Sequence, residues 1–296
     1  MFNGLTRISE DLKLHGDLAE TWVASADAKT WTFQLRRGVK FHDGSELVAD
    51  DVVAFFRRLL DPANNAPSRT GYDMIERVEA PDAATAVFTL SLPYGGFADI
   101  LADGQVKITP RAGAGQMATK PVGTKPVATK PVGTGPFKLV SYAAGDRLVL
   151  ARNPDCFEPG MPKLEGVELQ VIPEMSVKIA ALQAGDIDVV WDLPLDQVKL
   201  LSGDTALRVD SVPTSSWDGA IMNNMIPPFN DKRVRQAFHM TVDKADVVEL
   251  TLFGQGVETS ARSRRATRSM PRMRCCRRST RLPRAGCWPR PVTRTA

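Results

Sequence analysis

Between Trp31 and Pro62 the hydrophobic period of the chain changes, and that change limits what it can fold into more than any other stretch. Trp31, Phe33 and Leu35 alternate with Thr32, Gln34 and Arg36, the two-residue repeat of a strand with one buried face and one wet face. Arg37-Gly38 interrupts the run, Val39 and Phe41 begin a second short alternation, and His42-Asp43-Gly44 supplies a turn. The spacing then becomes helical. Val52, Phe55, Phe56, Leu59 and Leu60 share one face, and Asp50 and Asp51 stand in the first turn, where the helix dipole favours carboxylates. Arg57 and Arg58 are expected in water, and Asp61-Pro62 stops the helix. Two short strands, a turn and an amphipathic helix in this order define an α/β unit.

At 296 residues the chain has length for two domains, each able to bury a core. The formal charge of +4 hides an asymmetry: 12 of the 38 basic residues are arginines between Arg262 and Arg294, whereas all 34 acids lie at or before Glu258. The first 260 residues therefore carry a net charge of −8. Three of the four cysteines, Cys275, Cys276 and Cys287, also lie in the arginine-rich stretch. Cys156 alone in the acidic body supports neither a disulfide framework nor a metal site. No apolar run is long enough for a transmembrane helix, and residues 1–5 lack the basic and apolar regions of a signal peptide.

In chain order, strands are expected at 5–8, 74–79 and 86–90, and a helix at 93–102 with Phe97, Ile100 and Leu101 inward. Residues 119–133 are three copies of a five-residue repeat, Thr-Lys-Pro-Val-Gly/Ala, whose regular prolines forbid helix and weaken strand pairing, so an extended loop is expected. A hairpin follows at 137–142 and 147–152. Strands at 167–172, 187–191 and 207–212 then alternate with helices at 176–184 and 195–201, which predicts a mixed or parallel sheet. Further helices are expected at 232–240 and 244–253. Beyond Glu258 there is no Asp, Glu or Lys and the hydrophobic periodicity disappears. Residues 259–296 are expected to be a disordered tail or an out-of-frame translation of a GC-rich gene.

Catalytic motifs are missing: there is no G-x-S-x-G, H-E-x-x-H, Walker A or C-x-x-C. His42 reads as a surface turn residue, without the partners that a metal would need. The arginine-rich tail has the charge of a nucleic-acid arm. It lacks interleaved aromatic platforms, and the acidic body would repel a phosphate backbone, so nucleic-acid binding through the tail is kept as the second reading.

Several words in this chain resemble one family. They are Leu18-Ala19-Glu20-Thr21-Trp22, the run from Trp31 to Gly44, Ala49-Asp50-Asp51-Val52-Val53, Pro131-Val132-Gly133-Thr134-Gly135-Pro136-Phe137, Leu150-Ala151-Arg152-Asn153-Pro154-Asp155, residues 181–188, and residues 223–237. Together they resemble the extracellular solute-binding proteins (family 5) that feed oligopeptide and dipeptide ABC importers, over roughly residues 2–256. The resemblance implies a two-lobed α/β fold of the type II periplasmic-binding-protein kind, here incomplete, with family sequence expected beyond both ends. It places a smaller lobe at 1–140, part of the main lobe at 141–217 and the start of a further lobe at 218–258. Of the three repeats, the family pattern needs only the last, so the other two are read as a duplication lengthening a loop.

Such proteins capture a solute by hinge closure and deliver it to a membrane permease. The resemblance thus implies a periplasmic, non-catalytic, monomeric receptor with no cofactor, whose partners are a peptide or other small solute and an ABC permease, not nucleic acid. Three candidate ligand-binding residues follow. Trp217 lies where the family chain passes between lobes, Tyr72 falls in a loop that corresponds to a cleft-facing one, and Trp191 ends a strand, where open sheets border ligand crevices. Core packing is the alternative for Trp217 and Trp191, and a surface or core position is the alternative for Tyr72. Asn223, Asn224, Asp231 and Arg233 are expected to fix a turn and a helix entry. An open second lobe would expose apolar faces at Val247, Val248, Leu250 and Leu252.

Overall fold

The computed structural model describes residues 1–9, 12–113, 131–214, 219–254, 256 and 269–277. The chain forms two compact units, Met1–Val171 and Ile172–Ala296.

The first unit contains β1 (Thr6–Ile8), β2 (Leu14–Gly16), β3 (Ala19–Ala24), β4 (Thr30–Leu35), α1 (Ala49–Leu60), β5 (Ile75–Asp82), β6 (Thr85–Leu90), α2 (Phe97–Ile100), β7 (Phe137–Ala143), β8 (Arg147–Arg152) and β9 (Gly166–Gln170). Its main sheet has the antiparallel order β3-β4-β6-β5. Trp31, Phe33 and Leu35 of the central strand β4 are all buried, as their alternation predicts. Phe33 meets Phe88 edge-on at 5.4 Å, and Phe88 meets Phe56 of α1 at 4.9 Å and Phe97 of α2 at 5.3 Å. Edge-to-face rings add to the roughly 1.5–3 kcal/mol that each buried large apolar side chain contributes.

Helix α1 starts where Asp51 satisfies an otherwise orphaned donor: its carboxylate accepts the Val48 N–H at 2.9 Å. The other oxygen accepts the Arg111 N–H at 2.8 Å, so this buried side chain also fastens the distant 111 turn. Val52, Phe55, Phe56 and Leu59 are buried on the sheet side. Arg58, expected in water, is instead half-buried, with its guanidinium donating to Thr109 Oγ1 at 3.1 Å and lying 5.8 Å from the Phe55 ring centroid. Its long stem can follow apolar surface while the charged head finds an oxygen. The second alternation, at Val39 and Phe41, is buried but forms only the isolated bridge Lys40–Glu46.

The hairpin β7–β8 is extended by β9 into a separate antiparallel sheet. These strands group with the first compact unit, which ends at Val171.

The second unit contains α3 (Met175–Ala184), β10 (Val189–Trp191), α4 (Leu195–Leu201), β11 (Leu207–Thr214), α5 (Lys232–Thr241), α6 (Lys244–Leu252) and β12 (Ser269–Arg277). Leu182, Val190, Leu193, Leu201 and Leu207 form a small core of their own. The alternation of strands and helices suggests a parallel or mixed sheet, but here the order is β10-β12-β11 and both pairings are antiparallel. A strand from the arginine-rich stretch separates β10 from β11. The sequence reading expects no regular element after Glu258. A ladder is made by backbone N–H and C=O groups, so it can form without the side-chain period that sequence patterns detect.

Candidate functional site

Trp191 closes β10 and is 48% exposed. The next residue, Asp192, has φ of 55°, so the chain turns sharply before Leu193 re-enters the core and Pro194 leads into α4. That sequence of turn, anchor and helix holds the indole at a strand end with much of its surface in solvent. Tyr72 is placed differently. It is 3% exposed, its ring packs edge-on against Phe56 at 6.4 Å, and its hydroxyl donates to the Ile100 carbonyl at 3.0 Å. Burial, with Asp103 adding to it, pushes the phenol pKa up to about 12. Of the two readings offered for Tyr72, the core position is the one it occupies, because the 3₁₀ turn Arg69–Gly71 folds the ring inward. Trp217 lies outside the described residues.

A polar seam that the sequence does not announce runs through the first unit. Residues 133–136 pass against the first residues of the chain: Gly135 N–H donates to the Met1 carbonyl at 2.9 Å, and Thr134 Oγ1 donates to Asn3 Oδ1 at 3.1 Å. Both glycines are required by this approach. A Cβ on Gly133 would lie 2.4 Å from Met1 O and 2.5 Å from the Phe2 ring, and one on Gly135 would lie 2.5 Å from the Met1 carbonyl carbon. Asn3 Nδ2 and Gly4 N–H in turn donate to the Asp17 carboxylate at 2.7 and 3.0 Å. Burial raises the Asp17 pKa, with these two hydrogen bonds opposing the rise. Asn153 completes the seam by donating from Nδ2 to Gly135 O at 3.0 Å and from its backbone to Pro136 O at 2.8 Å. His42 faces the same segment with both ring nitrogens, Nε2 at 3.0 Å from Gly135 O and Nδ1 at 3.3 Å from Gly133 N.

Two cavities accompany these features. One of about 320 Å³ is lined by Arg7, Gly16, Arg36, Phe157, Glu158 and neighbours, with Arg7 paired to Glu158 and the Arg36 guanidinium 5.8 Å from the Phe157 ring centroid. The other, of about 490 Å³ in the second unit, is lined by Asn224, Lys232, Arg235, Gln236 and His239 among others. Among the described residues no cluster of three or more His, Cys, Asp or Glu side chains is arranged to hold a metal, and no helix is long and apolar enough to cross a membrane.

Asn223, Asp231 and Arg233 fix a turn and a helix entry, whereas Asn224 lines the larger of the two cavities. Asn223 Oδ1 accepts the Met225 N–H at 3.0 Å, and Asp231 caps α5 by accepting the Arg233 N–H at 2.8 Å while pairing with its guanidinium at 2.7 Å. The family model for bacterial extracellular solute-binding proteins, family 5 Middle, matches residues 13–261. The chain belongs to this family. The match stops three residues past Glu258, where the composition changes. Among curated relatives, the chain is 34% identical over 244 residues to the probable D,D-dipeptide-binding periplasmic protein DdpA of Escherichia coli K12, covering 82% of this chain and 46% of the relative. Among solved structures, it is similar to AgaA from A.tumefacien R10 in complex with agropinic acid (TM-score 0.74, 27% identity, 90% of this chain and 55% of that one). It is also similar to the oligopeptide-binding protein AppA of Bacillus subtilis in complex with a nonapeptide (TM-score 0.72, 29% identity, 88% and 51%). The chain thus spans about half the length of the proteins it matches, and its α/β fold is that of family 5 binding proteins, incomplete.

Proposed function

We propose that this chain is part of the substrate-binding component of an ABC importer, capturing peptides or similar small solutes and passing them to a membrane permease. The observation that carries this reading is the 34% identity to a dipeptide-binding periplasmic protein along 82% of the chain. The nonapeptide and agropinic acid complexes among its structural relatives support the same class of peptides or similar small solutes. Capture here is non-covalent and needs no cofactor: a ligand with higher affinity for a closed state shifts the population toward it, and the permease reads that state. Residues 1–140 serve as the smaller lobe, 141–217 as part of the main one and 218–258 as the start of a further lobe, and the protein works in the periplasm as a monomer. Trp191 borders the ligand, and Trp217 does so from the stretch where the family chain changes lobes.

Ligand-dependent thermal shift tests this, performed on the chain itself and on a chimera carrying the remaining half of DdpA, with dipeptides, a nonapeptide and agropinic acid as probes. Stabilisation of about 2.7 kcal/mol is expected at a ligand concentration 100 times Kd. The proposal fails if the folded chimera shows no shift with any probe.

A further inference from the structure

The histidine of the 41–44 turn holds a segment that lies 91 residues further along the chain. A neutral imidazole offers one donor and one acceptor, and which nitrogen does which is fixed by the partners they face. Nε2 lies 3.0 Å from the Gly135 carbonyl oxygen, which can only accept, so Nε2 carries the hydrogen. Nδ1 is then the acceptor, and the Gly133 N–H donates to it at 3.3 Å. A third bond, from the His42 backbone N–H to the Gly133 carbonyl at 2.8 Å, closes the clamp.

We propose that His42 is a pH-operated latch on Gly133: the neutral imidazole accepts the Gly133 N–H at Nδ1, and a proton there breaks that bond while the Nε2–H bond to Gly135 and the backbone bond to the Gly133 carbonyl remain. The imidazolium has two donors and no acceptor, so its Nδ1–H would face the Gly133 N–H, donor against donor. The charged groups around the ring are the Met1 amine and Lys138, which oppose the proton, and Asp43, which favours it. Lys138 is itself 3.7 Å from Asp155, which moderates its effect. Burial acts first and, with the two cations, outweighs the Gly135 hydrogen bond and Asp43, which favour the proton, so the His42 pKa is lowered below the ordinary histidine range.

The test is NMR on the intact chain with ¹⁵N-labelled histidine and backbone. At pH 7.5 the ring shifts of His42 are expected to report the Nε2–H tautomer, and the residue is expected to titrate below 6.5. Across that titration the exchange protection of the Gly133 amide should fall about tenfold, the worth of one hydrogen bond, while amides of β4 keep theirs. In His42→Gln the acid-linked loss at Gly133 should vanish. An Nδ1–H tautomer in the wild type, or the same acid profile at Gly133 in the variant, would overturn the latch. If the variant does not fold, the wild-type tautomer and the coincidence of the two titrations decide the matter alone.

Discussion

The hydroxyl of Tyr72 donates to the Ile100 carbonyl across 3.0 Å, joining the 3₁₀ turn after α1 to the end of α2 through the middle of an aromatic core. Tyr72→Phe keeps the ring and leaves that carbonyl without this donor. A loss of about 0.5–1.5 kcal/mol is expected by urea denaturation. Tyr72→Ala should cost about 3–5 kcal/mol, because it also empties the space against Phe56.

Asp51 holds two backbone donors at once, from Val48 and Arg111. Replacing it with alanine leaves both N–H groups without their acceptor, so a loss of roughly 1–3 kcal/mol per stranded donor sets the scale. Hydrogen exchange should localise the damage to the first turn of α1 and the 111 turn.

Gly133→Ala and Gly135→Ala each force a methyl group into the backbone of residues 1–2. Overpacking of this kind costs about 1–3 kcal/mol. A fall in thermal midpoint accompanied by faster amide exchange at Asn3 and Gly4 is expected. Unchanged exchange there would mean that the methyl is accommodated elsewhere.

The acid response of the first unit has two opposed parts. His42 has a lowered pKa, so the unfolded chain binds its proton more readily, and stability falls as pH drops below about 6.5. Asp17 has a raised pKa, so the folded state binds its proton more readily, and this group alone makes stability rise as pH falls through the window above 3.8. The stability of wild type minus that of Asp17→Asn should therefore increase between pH 6 and pH 4, measured by denaturant titration at each pH.

Around α5 and α6 the second unit exposes Ile221, Met225, Met240 and Leu250 at 77% or more, Val247 at 46%, while Val248 and Leu252 are half-buried. Exposed apolar surface of this extent promotes association. The double variant Met240→Lys, Leu250→Lys is expected to bind less of a hydrophobic dye and to stay monomeric at higher concentration, with far-UV circular dichroism unchanged.

What the sequence revealed, and what it hid, follows from how each contact is made. β4 and α1 were legible because both periods are strong and local: Trp31, Phe33, Leu35 and then Val52, Phe55, Phe56, Leu59 point where their spacing says. Helix entry at Asp231 was legible because an N-cap acts over two residues. The seam through Asp17, His42, Gly133, Thr134 and Asn153 was hidden because its side-chain partners lie 13 to 131 residues apart and no spacing rule links them. Tyr72 was ambiguous for a related reason, since nothing in a polar loop tells a ring which way to turn.

Strand β12 lies between β10 and β11, so those two strands have no hydrogen bonds to one another. Any product trimmed ahead of Ser269 would leave Val189–Trp191 and Leu207–Thr214 as separate ribbons with unfilled donors and acceptors along facing edges. The stretch with the least persuasive side chains is therefore the one on which this sheet depends for its continuity.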